Sequence, residues 1–390
     1  MDILFYRYGS ICEPDMIQSF RYAGITVIEE STEISDKSID DKVRLNLVEK
    51  HLKSHNFLFV FSINFYPVIS NLCNIYKVPY LCWTVDCPIP ELFNQAITND
   101  TNRIFMFDRA QYEIHRPYNP NRIFHLPLAS ATDRFDEVIS SITKEDTDKF
   151  SSEISFVGSL YTEKDPVPEI KGLSEYALGY MEALTYSGMS LYGCNILSLG
   201  LNNRIINEIK TLTNYIIPNA VEYDQIDRFI VSNCYLGYHN AAIERTVILN
   251  ELAKYYNVDL YTRSDVSELK GVHVHPGVRT LDEMPKVFNL SKINLNMTIR
   301  PIETGLPLRC FDIIGCGGFL MTNYQSEIED HFVIGQDLEA YSSVDELIDK
   351  CAFYLEHDDI RIKIAQSGYE KVKKEHSYFD RMKKMLEVLM

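Results

Sequence analysis

Residues 291–323, SKINLNMTIRPIETGLPLRCFDIIGCGGFLMTN, break into strand, loop, helix, turn and strand, the punctuation of a βαβ unit in a parallel sheet. Positions 293–297 alternate apolar and polar side chains as a short strand does. Between Arg300 and Pro307 a Glu, a Gly and two prolines keep the chain out of regular structure. Helical spacing resumes over 308–314 and stops at Gly315, Gly317 and Gly318, residues that tolerate the backbone of a helix end. A second strand follows at 319–322.

Charge sets this segment apart from scaffold. Arg300, Glu303, Arg309 and Asp312 stand at the loop and the helix start in otherwise apolar sequence. In an open α/β sheet the carboxyl ends of the strands are where ligands sit. Two arginines there can hold a phosphate bidentately, and a helix N-terminus adds free N–H groups and the positive end of its dipole. A carboxylate one turn on can accept hydrogen bonds from ribose hydroxyls. The alternative is an Arg309–Asp312 pair that only caps a surface helix.

Working outward, 390 residues exceed one ordinary core, and two or three domains are expected. Thirty-eight basic against 55 acidic residues, a net charge of −17, oppose nonspecific binding to nucleic acid or an anionic leaflet. A phosphate ligand therefore needs a local basic pocket. Asp2 and Arg7 interrupt the first apolar run, unlike a secretory leader, and no apolar run reaches the length of a membrane span. Nine cysteines without a C-x-x-C pair point to reduced thiols and a cytoplasmic protein.

Strand and helix patterns alternate along both halves. Strands are expected at 3–8, 25–28, 57–61, 79–85, 104–108 and 122–126, and the first turn lacks the G-x-G-x-x-G of a dinucleotide cofactor. Asp86 ends the fourth of these, beside the only tryptophan, Trp83. Residues 130–153 are polar and read as a domain linker. The Asp146-Thr147-Asp148 inside them has the form of a metal-binding D-x-D but reads as solvated surface. A second half opens with the strand ISFVGSLY, whose Gly158-Ser159 turn can offer backbone N–H groups to a phosphate. Helical patterns fill 167–229, a strong helix spans 241–256 with Glu244 and Arg245 in its first turns, and strands follow at 258–262 and 272–276, the latter ending near Gly277. His273 and His275 share a strand face without a third ligand at metal spacing. The basic residues of the last two helices read as a solvated face, with peripheral membrane contact as the alternative.

The blocks VPYLCWTVDCP, IFMFDRAQYEI and IFHLPLA, then ISFVGSLY, ERTVILNELA, MPKVFNLSKINLNMT, GLPLRCFDIIGCGGFLMTN and IAQSGYEKVKKEHSYFDRM, occur here in order. By these blocks the chain resembles the CgeB-type, spore-maturation-like glycosyltransferases and, more distantly, the family-4 retaining glycosyltransferases. The resemblance implies the GT-B architecture: two Rossmann-like, doubly wound α/β domains facing a cleft. Residues 1–150, joined by the C-terminal helix at 377–390, would bind the acceptor. Residues 151–376, with a helical insertion at 165–235 that shapes acceptor choice, would bind the donor. It implies transfer of a sugar from a nucleotide-sugar, a UDP-sugar, to a glycan, protein or lipid-linked acceptor, with retention and with no metal or other cofactor. In the family pattern two glutamates eight residues apart flank G-L-P. Asp312 takes the place of the second, which binds the ribose. The first falls on Thr304, and the neighbouring Glu303 is the candidate for the sugar. Arg245, Arg300 and Arg309, the Gly158-Ser159 turn, Gly277 and Lys292 are the other donor-binding candidates. Asp86 is the candidate acceptor base or acceptor-orienting group. A nucleotide-sugar epimerase and a two-lobed, non-catalytic sugar-binding protein stay open as other readings.

Overall fold

A computed structural model describes residues 1–389, and the chain divides into two compact units. The first comprises Met1–Ala129, Ile216–Tyr223 and the chain from His376 onward; the second comprises Ser130–Tyr215 and Asp224–Glu375.

Each unit is built on a six-stranded, wholly parallel sheet, so the expected α/β class with doubly wound sheets is what the chain adopts. In the first, β1 (Asp2–Tyr6), β2 (Thr26–Glu30), β3 (Val60–Ile63), β4 (Tyr80–Trp83), β5 (Asn102–Met106) and β6 (Ile123–His125) lie in the order β2-β1-β3-β4-β5-β6. In the second, β7 (Ser152–Val157), β8 (Val258–Thr262), β9 (His273–Pro276), β10 (Ser291–Asn296), β11 (Leu320–Asn323) and β12 (Glu339–Tyr341) lie in the order β12-β11-β10-β7-β8-β9. Helices cover both faces of such sheets, which is why β3 and β4 read as largely apolar runs: every residue in them is buried. The winding direction reverses between β1 and β3 and between β7 and β10. Those two switch points leave crevices at the carboxyl ends of the strands.

The segment 291–323 folds as its pattern requires: β10, a loop, the helix Leu308–Gly315 and β11. Gly317 adopts φ 70°, the left-handed turn that stops the helix. Residues 130–153 are not a linker. They form the helices Thr132–Ser140 and Lys144–Phe150 of the second unit, with Phe135 and Phe150 buried and the rest of the surface charged. The inserted helices Glu175–Met189, Ile196–Gly200 and Asn203–Thr213 enclose a small core of their own, including Met181, Leu197, Ile205 and Ile209. The stretch after them leaves the insertion and joins the first unit. There the Val221 N–H donates to the Phe93 carbonyl at 2.7 Å, and Tyr223 stacks on Phe93 with ring centres 5.3 Å apart.

Most of the basic residues on the C-terminal helices, Lys363, Lys373, Lys374, Lys383 and Lys384, are exposed, in keeping with a solvated face, while the two arginines turn inward. Arg361, 7% exposed, donates to the Lys292 carbonyl at 3.0 Å and pairs with Asp358 at 2.6 Å. Lys371 pairs with Asp337 and Lys373 with Asp136. On the last helix, Tyr378–Glu387, Arg381 is 1% exposed and donates to the carbonyls of Pro127 and Leu128. Among the described residues no helix is long and apolar enough to cross a membrane, and all nine cysteines are free thiols.

His115 is wholly buried in the first unit, its ring 4.6 Å from Phe93, and burial pulls its pKa down to about 3. The folded state thus keeps this imidazole neutral while the unfolded chain protonates it near 6.5. The unfolded state binds more protons between those values, so stability falls as pH drops through that window. At about 1.4 kcal/mol per pH unit over that window the full effect is roughly 5 kcal/mol. His115→Phe is expected to flatten the acid limb of a plot of unfolding free energy against pH and to leave the neutral region little changed; urea melts from pH 7 to pH 3 check this.

Candidate functional site

The switch point of the second sheet is spanned by one side chain. Arg245 projects from the helix Gly237–Leu252 and donates through Nη1 to the Ser159 carbonyl, just past β7, and through Nη2 to the Met297 carbonyl, just past β10, both at 2.6 Å. Its guanidinium lies over the rings of Tyr161, at 4.6 Å, and Phe156, at 5.3 Å. No carboxylate pairs with it among the described residues. Burial lowers its pKa, with the Arg309 charge acting in the same direction and Tyr161 and Glu244 opposing. A half-buried cation packed against rings and carbonyls, with a second cation in electrostatic reach, is a site that an anion stabilises.

Arg309 and Asp312 occupy the first two turns of the helix Leu308–Gly315 and form a loose pair at 3.4 Å. Burial lowers the Arg309 pKa, with Asp312 opposing, and the guanidinium packs on the Phe288 ring at 5.2 Å. Asp312 is 6% exposed. The pair is partly buried rather than a surface cap, and at this length one guanidinium can serve both Asp312 and an anion.

Arg300 is different, and its donor-binding role is not supported. It is 5% exposed and spent within the fold: Nη2 donates to Glu244 Oε1 at 2.7 Å, Nη1 to the Leu191 carbonyl, and the plane lies over Tyr192 at 4.4 Å. Glu303, half-buried beside it, accepts a long 3.4 Å hydrogen bond from Asn195 and lines a water-sized hollow with Arg300, Thr298 and Asn323. The loop between them is tied down, because Thr304 donates to the buried Glu327 at 2.7 Å and Gln325 to the Ile302 carbonyl at 3.0 Å. Glu303 is thereby placed at the strand-end face of the sheet.

Two further candidates are placed differently from expectation. The Gly158 N–H extends the β7–β8 ladder to the Tyr261 carbonyl at 3.1 Å, so it is not offered to a phosphate. Ser159 instead organises its loop, its hydroxyl donating to Glu163 and accepting from the Tyr161 N–H. Lys292 begins β10, at the end opposite the strand-end crevice, and is exposed there. Gly277 is required by packing: a Cβ there would lie 2.7 Å from the Arg263 side chain.

Arg263 itself was not singled out in the sequence, nor was Lys164. Arg263 follows β8 directly, is exposed, and has no carboxylate partner among the described residues. Lys164 is exposed in the loop after β7, its ammonium 4.9 Å from the Tyr161 ring centre. The two loops are stitched together, since Ser264 Oγ accepts from the Leu160 N–H at 2.8 Å. A cation immediately after a strand was the available signal.

The first unit has its own strand-end cluster. Asn64, with φ 60° just past β3, donates through its side-chain amide to Asp86 Oδ2 at 2.6 Å and to the Tyr8 hydroxyl at 3.0 Å, while its side-chain Oδ1 accepts from the Val85 N–H at 3.0 Å. Asp86, past β4, is exposed and is also within 3.4 Å of the Tyr8 hydroxyl. Burial raises the Tyr8 pKa, and the Asp86 charge adds to it. The tyrosine stays a neutral donor, and Asp86 keeps free acceptor capacity toward solvent.

The D-x-D is structural. Asp146 forms a capping box with Thr143 and a 2.9 Å ion pair with Lys286, the latter holding its carboxyl down at about 2. His273 and His275 both lie toward Asp259, at 3.8 and 2.7 Å. Among the described residues no group of three His, Cys, Asp or Glu side chains is placed to hold a metal ion.

This geometry agrees with what the chain is similar to. Residues 245–387 match the family model described as glycosyl transferase-like. A glycosyltransferase from Rickettsia africae is similar over 100% of this chain and 97% of its own, at 13% identity and a TM-score of 0.55. Anabaena HepE, in a structure with UDP-glucose, is similar over 100% and 99%, at 10% identity and a TM-score of 0.54. Sucrose-phosphate synthase from Thermosynechococcus elongatus is similar over 100% and 98%, at 7% identity and a TM-score of 0.55. No curated protein matches in sequence. The fold is therefore that of the GT-B glycosyltransferases.

Proposed function

We propose that the chain is a glycosyltransferase of the CgeB type that transfers a sugar from a nucleotide-sugar, with a UDP-sugar as donor, to a glycan, protein or lipid-linked acceptor. The observation that carries this is Arg245: a cation without a carboxylate partner among the described residues, bridging the two strand ends of the second switch point. The matched family segment begins at that residue. In this reading Arg245 and Arg309 hold the diphosphate, with Lys164 and Arg263 at its outer side. Asp312 accepts hydrogen bonds from the ribose, and Glu303 faces the sugar. Breaking the bond from sugar C1 to phosphate oxygen leaves negative charge on the departing diphosphate. Guanidinium groups already in place stabilise that charge without reorganising. Transfer with retention follows the resemblance, and Asp86 binds the acceptor hydroxyl in the other unit.

With cations in the place of a metal, turnover is expected to be metal-independent. Release of UDP from UDP-glucose in the presence of acceptor should continue unchanged in EDTA. Activity lost to EDTA and restored by Mg²⁺ or Mn²⁺ would contradict this. Product analysis by NMR separates the readings: a new glycoside supports transfer, an isomerised donor supports epimerisation, and an unchanged donor supports binding alone.

A further inference from the structure

A hollow of about 510 Å³ lies within the second unit, beside the inserted helices. Its size is that of a small-molecule site. Val167, Leu173, Met181 and Ile243 give it apolar walls, and the exposed Glu182 and Tyr186 also line it. One polar group in the wall is held in a defined state. His239 Nδ1 is 2.8 Å from Asp165 Oδ2, and the same carboxylate accepts the Val167 N–H through Oδ1 at 3.0 Å. A carboxylate only accepts, so in the neutral ring Nδ1 carries the proton and Nε2 is left as an acceptor. Nε2 has no protein partner among the described residues.

The position of this pair links the hollow to the strand-end crevice. Asp165 follows Lys164 in the loop after β7, and His239 stands on the helix that carries Arg245. Between them Tyr238 packs on Tyr161, the ring that also receives Arg245. A tether between loop and helix needs no hollow. An open hollow with apolar walls and one oriented ring acceptor is complementary to a particular kind of molecule.

We infer that this hollow binds a small apolar molecule bearing a hydroxyl, its body against Val167, Leu173, Met181 and Ile243 and its O–H donating to His239 Nε2. Two sources share that chemistry, the apolar part of an acceptor and a separate effector.

The test uses the full chain and two probes of nearly equal shape, 1-naphthol and 1-methoxynaphthalene, which lacks the O–H. Naphthol is expected to bind saturably, one to one, and at least about fivefold tighter than the ether, the effect of one hydrogen bond. In His239→Phe the preference should fall to about one while the ether binds as before, which shows the hollow intact. In the unaltered protein the His239 Nε2 resonance should shift with naphthol and not with the ether, a readout that needs no variant. Equal binding of both probes, saturable binding of neither, or a preference that survives in His239→Phe overturns the inference. In transfer assays, naphthol competing with the acceptor marks the hollow as part of the acceptor site, and inhibition that acceptor does not relieve marks an effector site. The binding measurements need no turnover, so they stand or fall separately from the proposed reaction.

Discussion

Arg245→Met is expected to weaken UDP binding at least about 100-fold, the loss of two charge-assisted hydrogen bonds at about 1.5 to 3 kcal/mol each, while thermal unfolding stays within a few degrees. The two halves of this expectation have one cause. Among the described residues Arg245 has no carboxylate partner, and its bonds go to the carbonyls of Ser159 and Met297. Removing an uncompensated, half-buried charge relieves part of a desolvation cost, and methionine is long and flexible enough to fill much of the space. That gain offsets the two hydrogen bonds lost inside the protein. Arg300 provides the contrast. Its partner Glu244 is 4% exposed, so Arg300→Met leaves a buried carboxylate without its cation and should destabilise the fold by about 3 to 5 kcal/mol. The same substitution at two arginines should therefore act on ligand affinity in one case and on stability in the other. Calorimetry with UDP beside thermal melts measures both.

The second large effect concerns Asp86→Asn, which is expected to lower kcat/KM for the acceptor by about 100-fold, within the range attributed to a positioned base or a charged hydrogen bond, with UDP affinity unchanged. Asp86 belongs to the first unit and Arg245 to the second. Asn64 and Tyr8 both donate to the Asp86 carboxylate, so its orientation is held while one side stays open to solvent. Asparagine keeps the shape, loses the charge and offers a donor where an acceptor stood. A fall in kcat marks proton removal from the acceptor, and a rise in acceptor KM marks positioning of the hydroxyl. Steady-state transfer rates over a range of acceptor concentrations separate the two. A variant with full transfer activity would remove Asp86 from the site.

Much of the fold was legible because strands buried on both faces appear as largely apolar runs, as in β3, broken only by Ser62, and β4. β12 was not, since its three residues, Glu-Ala-Tyr, include a buried carboxylate that Lys350 and Tyr354 reach from one helix later in the chain, Val344–Glu356. Residues 130–153 were misread for a related reason: short amphipathic helices with one buried aromatic each are as polar in composition as a linker. At the site, charge within apolar sequence marked Asp86, just past β4, and Arg309 and Asp312, on the helix that follows the β10 loop. It did not distinguish Arg245 from Arg300, because the carboxylate that decides between them, Glu244, is next to one in the chain and 56 positions from the other. Lys292 was open to exclusion from the pattern alone, as it begins its strand and ligands gather where strands end. The hydrogen bond that occupies the Gly158 N–H depends on register with β8, which no local pattern specifies.

The central claim is that the second switch point is an anion site for a nucleotide diphosphate, independent of metal. The most direct measurement is calorimetric titration of UDP, in EDTA, into the unaltered chain and into Arg245→Met and Asp86→Asn. One-to-one binding by the unaltered chain and Asp86→Asn, and its loss in Arg245→Met, is the predicted result. UDP bound equally by Arg245→Met, or bound by none of the three, would contradict the account.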